Sequence, residues 1–403
     1  MQVEVLTLLA WVSNIVGRVR TAYCYSGIAT RLALSLGMHR AASRYTTLTP
    51  VERETRRRTW WVLYFFDRFS ASKLGHPIAV RDEDIDVEMP SMEGLTTEEM
   101  AEFLDPRSLI INIKLGRIIG NILTQIYGIP KATNGRYIHQ VHSILKQLRA
   151  WHDELPPDML VRERDTPRTV ANLALAFNQC IIQTTRPVLL HLFKTQVQLG
   201  SRVRQDASSI ILALADSCVN AAQASSHIVE NLFLDGSIAM FGYYDAQHIF
   251  SAAMILLMSA VMKPTAGSSE HLETLLGALR CLRENGNIPA VDFCDRLSHI
   301  QTRISTLRAT GRLGGGTFER PSTRAPPVAG ESESAFNHTA NQNQLETPSS
   351  VNNEAEDHAE ILGNPLIGSF LDTNKAEWMD YLFADGTLGE FNTEIEEQFL
   401  FGS

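Results

Sequence analysis

Asp82, Glu83, Asp84 and Asp86 crowd four carboxylates into five positions, a density that can hold magnesium ions against a diphosphate. Such a site needs its acids on a helix and a second ligand set facing them. Gly75-His76-Pro77 and Pro90 frame the run and predict an extended loop instead, and no matching second motif follows downstream. Asp82, Asp84, Asp86 and Glu93 also fall at the first, third, fifth and twelfth positions of a calcium loop, but Val87 stands where that loop requires glycine and Pro90 disturbs it. His139 and His142 lie one helical turn apart with His152 following, a spacing that reads as a solvated helix face rather than a chelate. The chain has no Gly-x-Ser-x-Gly elbow, no glycine-rich phosphate loop and no Cys-His pair in a recognisable context. It is therefore not read as an enzyme, and a helical magnesium-dependent metabolic enzyme using the Asp82 to Asp86 acids is kept as the minority alternative.

The elements that must position these residues are helices. Ala29, Leu32, Ala33 and Leu36 repeat at helical spacing, and Gly37 follows where a left-handed residue commonly stops a helix. Thr49-Pro50-Val51-Glu52 is a capping box with proline at the first helical position. The helix that starts there carries Val51, Trp61, Val62, Phe65, Phe66 and Phe69 as its apolar stripe. Its first half is charged, with Glu54 four residues before Arg58, the order that pairs well on a helix. Arg56-Arg57-Arg58 could neutralise phosphates. The acids at Glu52, Glu54 and Asp82 to Asp86 offer local partners, so the triplet reads as a surface ion-pair cluster.

Further on, Thr96-Thr97-Glu98-Glu99 is a second capping box, and Asp105-Pro106 opens an isoleucine-rich helix that runs to Tyr127 and is stopped by Gly128-Ile129-Pro130. Helices are expected over 136–154, 166–193, 206–234, 243–262, 269–284 and 289–307, with a kink or break at Pro187. No stretch shows sustained strand alternation, and the most apolar run, 251–262, is too short to cross a bilayer. The fold class is all-α, a multi-helical domain over 1–309. No membrane partner is expected.

Four blocks stand in a specific order: the helix end Ala33-Leu34-Ser35-Leu36-Gly37-Met38-His39-Arg40, the helix with Arg57-Arg58-Thr59-Trp60-Trp61 and Asp67-Arg68, the turn Gly75-His76-Pro77, and the exit Asp84-Ile85-Asp86 closing at Pro90. They resemble the regulatory middle region of the fungal-specific transcription factors that usually carry an N-terminal binuclear zinc cluster. His76 stands where that family more often has arginine, and Arg186-Pro187-Val188-Leu189 looks like its later Arg-Pro-x-Leu element. The resemblance implies a nuclear regulator of RNA polymerase II transcription that restrains or licenses activation and responds to a small-molecule inducer.

A zinc cluster of that family needs six closely spaced cysteines beginning with Cys-x2-Cys, whereas Cys24, Cys180, Cys218, Cys281 and Cys294 are scattered. They read as reduced small hydrophobes of an intracellular protein. No cofactor is expected in this chain, and zinc only in a cluster outside it. DNA contact would come through that missing cluster or a partner subunit, and the second reading is a co-regulator without DNA contact of its own. Met1 leads at once into Val3, Leu6, Leu9, Ala10 and Val12, which predicts that the chain starts inside a larger domain.

Composition separates the body from two further segments. Hydrophobic residues at 44% and charged residues at 20% suit a chain that buries a core, and 36 basic against 45 acidic residues leave a net charge of -9 with no broad basic footprint for nucleic acid. From 310 to 365 the chain is rich in Gly, Pro, Ser, Thr, Asn, Gln and Glu and reads as a disordered linker. From 366 to 403 eight acids face one base, Lys375, and interleave with Phe370, Trp378, Tyr381, Leu382, Phe383, Phe391, Phe399 and Phe401. That is the composition of an acidic activation tail whose aromatics await a coactivator groove, with Trp378, Tyr381 and Leu382 on one face of any helix formed on binding.

Overall fold

At residue 49 the chain turns into its most informative helix. The Thr49 hydroxyl accepts from the Glu52 backbone N–H at 3.2 Å, and the Glu52 carboxylate accepts from the Thr49 N–H at 2.8 Å. Those bonds, the backbone one first, hold the Glu52 carboxyl below its usual range. The helix runs Pro50–Leu74 and ends on Gly75, whose φ of 65° is the left-handed geometry glycine adopts without strain.

The computed structural model describes residues 2–41, 48–128, 136–162, 165–199, 209–263 and 266–309. Among the described residues there are eleven α-helices: α1 Gln2–Ile15, α2 Val19–Ser35, α3 Pro50–Leu74, α4 Thr97–Met100, α5 Pro106–Gln125, α6 Arg136–Asp153, α7 Arg168–Leu199, α8 Ser209–Leu234, α9 Tyr243–Met262, α10 Ala266–Glu284 and α11 Ile288–Ala309. Two single 3-10 turns, Asp82–Asp84 and Pro157–Met159, complete the set, and no strand occurs among these residues. The all-α reading holds. The linker and tail segments, 310–403, lie outside the described residues, as do Trp378, Tyr381, Leu382, Phe383, Phe391 and Phe399.

Neighbours in sequence are mostly neighbours in space: α1 packs on α2, α2 on α3, α3 on α5, α5 on α6, and α7 on α8. Two buried apolar clusters result. The smaller joins Val3, Ala29, Ala33, Trp60, Trp61, Tyr64 and Ile113 from α1, α2, α3 and α5. The larger runs through α5 to α11, with Leu148, Phe177, Leu214, Leu256 and Leu279 among its members. Helix α9 is long and apolar enough to cross a bilayer by length and composition, unlike the shorter run the sequence singles out, but 72% of its most apolar window is buried among other helices.

The α3 stripe is phased differently from the expectation. Val62 is 44% exposed, whereas Trp60 and Trp61 are each 1% exposed. Two consecutive tryptophans are buried because α2 covers one side of α3 and α5 the other.

Helix α7 passes through Pro187 without the expected break. Proline removes the N–H that would have bonded the Gln183 carbonyl. Here the Tyr127 hydroxyl donates to that carbonyl at 2.6 Å and itself accepts from Arg186 Nε at 2.8 Å. A side chain from the end of α5 thus replaces the missing backbone bond. Burial pushes the Tyr127 phenol above its ordinary pKa, so it stays a donor. Tyr127→Phe is expected to cost about 1–3 kcal/mol by leaving a buried carbonyl unpaired. Denaturant unfolding of the full chain measures this, and an unshifted midpoint would show that the carbonyl is served in another way.

The start of α7 is bolted to the α8–α9 turn. Arg168 pairs with Asp245 at 2.9 Å and donates to the Ser237 carbonyl, and Asp245 also accepts from the Ala239 N–H at 2.9 Å.

Candidate functional site

Residues 75–91 form a strap that crosses the α2–α3–α5 surface, and almost every residue of the four sequence blocks either anchors that strap or shapes the helix beneath it. Gly37, with φ 68°, ends α2 and lets the chain turn so that the His39 carbonyl faces the strap. That carbonyl accepts from the N–H groups of Asp86 and Val87 at 3.1 and 3.2 Å. Asp86 returns the contact by accepting from the Ala41 N–H at 3.0 Å, with Arg40 3.9 Å away. The Asp84-Ile85-Asp86 exit is thus tied to the turn after α2 through one backbone carbonyl and is not a strand.

Arg68 is the centre of the strap's first half. It is 1% exposed, donates to Asp82 at 2.6 Å and to the Val80 carbonyl at 3.0 Å, and lies 3.4 Å above the Tyr64 ring. Tyr64 donates to the same Asp82 oxygen at 2.7 Å, and burial raises its pKa well above the ordinary phenol range. Room for this guanidinium comes from α5. A Cβ on Gly120 would sit 3.2 Å from Arg68 Nε, and one on Gly116 would sit 3.4 Å from the Tyr64 and Phe65 rings. Asp67, one residue earlier, accepts from the Ala79 N–H at 3.0 Å, and burial raises its carboxyl pKa.

The second half of the strap is held by Glu54 and Trp61. Glu54, with its side chain 3% exposed, accepts from Arg57 at 2.7 Å, from Arg58 at 2.6 Å and from the Ser91 N–H at 3.1 Å. Arg57 also reaches Glu88 at 3.6 Å, and Arg58 donates to the Leu104 carbonyl. The Trp61 indole N–H donates to the Glu88 carbonyl at 2.8 Å. Tyr23 donates to the Pro77 carbonyl at 3.2 Å and packs on the His76 ring at 4.9 Å, Pro90 is buried, and Trp60 packs on the His39 ring at 5.7 Å.

Three sequence expectations change here. The acidic run is extended only in part: Asp82–Asp84 makes a 3-10 turn from which Asp82, itself still exposed, reaches the buried Arg68. Asp82 goes to Arg68 at 2.6 Å, while Arg57 and Arg58 take Glu54 of their own helix. The arginine triplet is not a surface cluster, since the Arg57 and Arg58 side chains are only 16% and 14% exposed around a buried Glu54. Arg56 donates instead to the Leu36 carbonyl at 2.7 Å.

Sequence reasoning overlooks Tyr64, Tyr127, Gly116, Gly120 and Lys73. The small-residue spacing of Gly116 and Gly120 on α5 could have marked a close approach. Nothing local marks Lys73. Among the described residues no group of three or more His, Cys, Asp or Glu is placed to hold a metal. His139 is exposed, and His152 lies against Phe177 with its pKa lowered by burial. The five cysteines are free thiols, and burial pushes Cys180 and Cys218 up to about 12.

The strap coincides with a region shared by known proteins. A family model described as the fungal specific transcription factor domain matches residues 2–153, from α1 to the end of α6. An uncharacterized transcriptional regulatory protein of Schizosaccharomyces pombe is 25% identical over 72% of this chain and 36% of its own length. Transcription factor FBD3 of Gibberella moniliformis is 26% identical over 71% of this chain and 42% of its own length. The transcriptional activator protein acu-15 of Neurospora crassa is 32% identical over 41% of this chain and 19% of its own length. This chain spans less than half the length of each of these relatives. No solved structure matches it.

Proposed function

We propose that this chain, whose residues 2–153 match the model of the fungal specific transcription factor domain, is the regulatory region of a nuclear fungal transcription factor, with an activation segment in 366–403. The observation that carries the reading is the joint one: the family match covers α1 to α6, and the motif residues inside it form one interlocked scaffold rather than a reaction centre. The relatives that share the region are transcription regulators and activators, not enzymes. The carboxylate a magnesium site would need at Asp82 is already committed to Arg68 and Tyr64. DNA contact, on this reading, comes from a zinc cluster outside this chain or from a partner subunit. Coactivators are the partners of the acidic tail, and a small molecule sets its output.

The test is a reporter assay. The whole chain, and separately residues 366–403, are fused to an unrelated DNA-binding domain. Both should drive the reporter, because the acids keep Trp378, Tyr381, Leu382 and Phe383 solvated until a coactivator groove buries them. Replacing those four by alanine should abolish the signal. An inert tail fusion, or full activity in the four-alanine variant, would remove the activation segment from the proposal.

A further inference from the structure

Lys73 occupies a place a lysine rarely holds. It is the next-to-last residue of α3, its Nζ is buried with no hydrogen-bond partner among the described residues, and it lies 4.7 Å over the Phe69 ring. Lys73 also lines a cleft of about 590 Å³ between the α1–α2 turn, α3, α7, α9 and α11. Arg186, held by Tyr127, lines the same cleft, and Gln179 and Gln183 precede it on that face of α7. Arg18, Arg20 and Arg296 complete a set of five cationic side chains against one acid, Asp292, which Arg296 already engages at 2.8 Å. The rest of the wall is mixed, with Ser72, Gln247 and Ser251 beside Met254 and the stacked rings of Phe250 and Phe293, 4.6 Å apart.

An excess of positive charge around a low-dielectric cleft raises the local concentration of anions, and the volume suits a small molecule. We propose that this cleft is the effector site of the chain and takes a small organic anion, a carboxylate head on an apolar or aromatic body. The head seats near Lys73 and Arg186, drawing the ammonium off the Phe69 ring, while the body lies along Phe250, Met254 and Phe293. The glutamine amides supply donors beside the head. This assignment gives the regulatory reading its ligand class and rests on that reading only for its meaning in the cell, because its own readout is binding.

The electrostatics add a pH signature. Burial first, and then the charge of Arg186, lower the Lys73 pKa to about 7, with only the Cys180 thiol acting in the other direction. On the far side of Phe69, buried His248 has its pKa lowered well below the usual value by burial and by Lys73, and so stays neutral. The other cationic side chains of the cleft, Arg18, Arg20, Arg186 and Arg296, are guanidinium groups, and Asp292 is paired with Arg296 at 2.8 Å. Lys73 is therefore the cationic group of the cleft that changes charge near neutrality. An anion that needs its positive form should bind more weakly as pH rises through 7.

The test is calorimetric titration of the full chain with 2-naphthoate, with 2-naphthalenemethanol as the neutral isostere and inorganic phosphate as an anion without a body. Saturable naphthoate binding is expected, at least tenfold tighter than either control, and weakening about tenfold between pH 6.5 and 8.5 as Lys73 loses its proton. Lys73→Met should lower naphthoate affinity tenfold or more and flatten the pH dependence. Arg20→Glu, a charge reversal on the exposed rim that leaves the packing alone, should lower it several-fold. Absence of saturable naphthoate binding at millimolar concentration, equal binding of the neutral isostere, or unchanged affinity in both variants would each overturn the assignment. A reporter that fails while naphthoate binds would remove the activation segment from the functional reading and leave the site standing.

Discussion

Trp61→Ala is expected to destabilise the domain by about 3–5 kcal/mol, the range for removing a fully buried large aromatic side chain that leaves a cavity. Trp61 is 1% exposed, meets the edge of the Tyr64 ring at 5.0 Å and donates to the Glu88 carbonyl at 2.8 Å. Its loss therefore empties the smaller apolar cluster and unties the strap at the same point. Because a domain's net stability is commonly about 5–15 kcal/mol, a loss of this size should appear as a large drop in melting temperature or as aggregation on expression. Trp61→Phe keeps most of the burial and loses only the N–H bond, so it should fall between wild type and alanine. Val62→Ala, next in sequence but 44% exposed, should stay within about 0.5 kcal/mol of wild type. If Val62→Ala proved as costly as Trp61→Ala, the phase of α3 described above would be wrong.

Glu54→Ala should be nearly as damaging, by roughly 2–4 kcal/mol. Removing one partner of a buried ion pair costs about 3–5 kcal/mol, and partial access of both arginines to solvent lowers that figure. What remains is two guanidinium groups and the Ser91 N–H without the acceptor they share. Arg57 retains Glu88 at 3.6 Å, a weaker contact because Glu88 is about half exposed. Glu54→Gln keeps the shape and one acceptor and should be intermediate. The contrast is Arg107 with Asp105, whose side chains are 57% and 52% exposed, where breaking the pair should leave the unfolding midpoint almost unchanged. A double-mutant cycle between Glu54 and Arg58, read by denaturant unfolding, isolates the pair. Coupling as small as that of an exposed pair would mean that Glu54 is not the post on which the strap's end is hung.

The two variants act on one device from opposite ends of about two helical turns. Trp61 fixes the strap through a backbone carbonyl, and Glu54 fixes it through a backbone N–H three residues later in the strap's own path, Ser91 after Glu88. Their partial effects should therefore not add, since the second anchor has less to hold once the first is gone.

Much of the local structure was legible in the residues alone. The capping boxes at Thr49 and Thr96, the left-handed end at Gly37, the proline start of α5 and the bounds of Tyr243–Met262 all appear as read, because each depends on partners within about four residues. The Glu54 to Arg58 pair belongs to the same class. The family blocks were also visible, since they are short runs in a set order.

What the sequence could not decide is which distant group each side chain meets. Arg68 takes Asp82 rather than Asp84 because the path of the strap, with its single 3-10 turn, brings the Asp82 carboxylate to the guanidinium. Pro187 reads locally as a kink or a break, yet α7 continues, and Tyr127 from just beyond α5, 56 residues before Gln183, supplies the lost hydrogen bond. Lys73 is an ordinary charged residue near a helix end until α7 and α9 close over it and place Arg186 in the same cleft. Helix ends follow from hydrogen bonds within one turn of chain and are written in residue order; charge burial and orphaned polar groups follow from which helices pack together, and only the tertiary structure determines that.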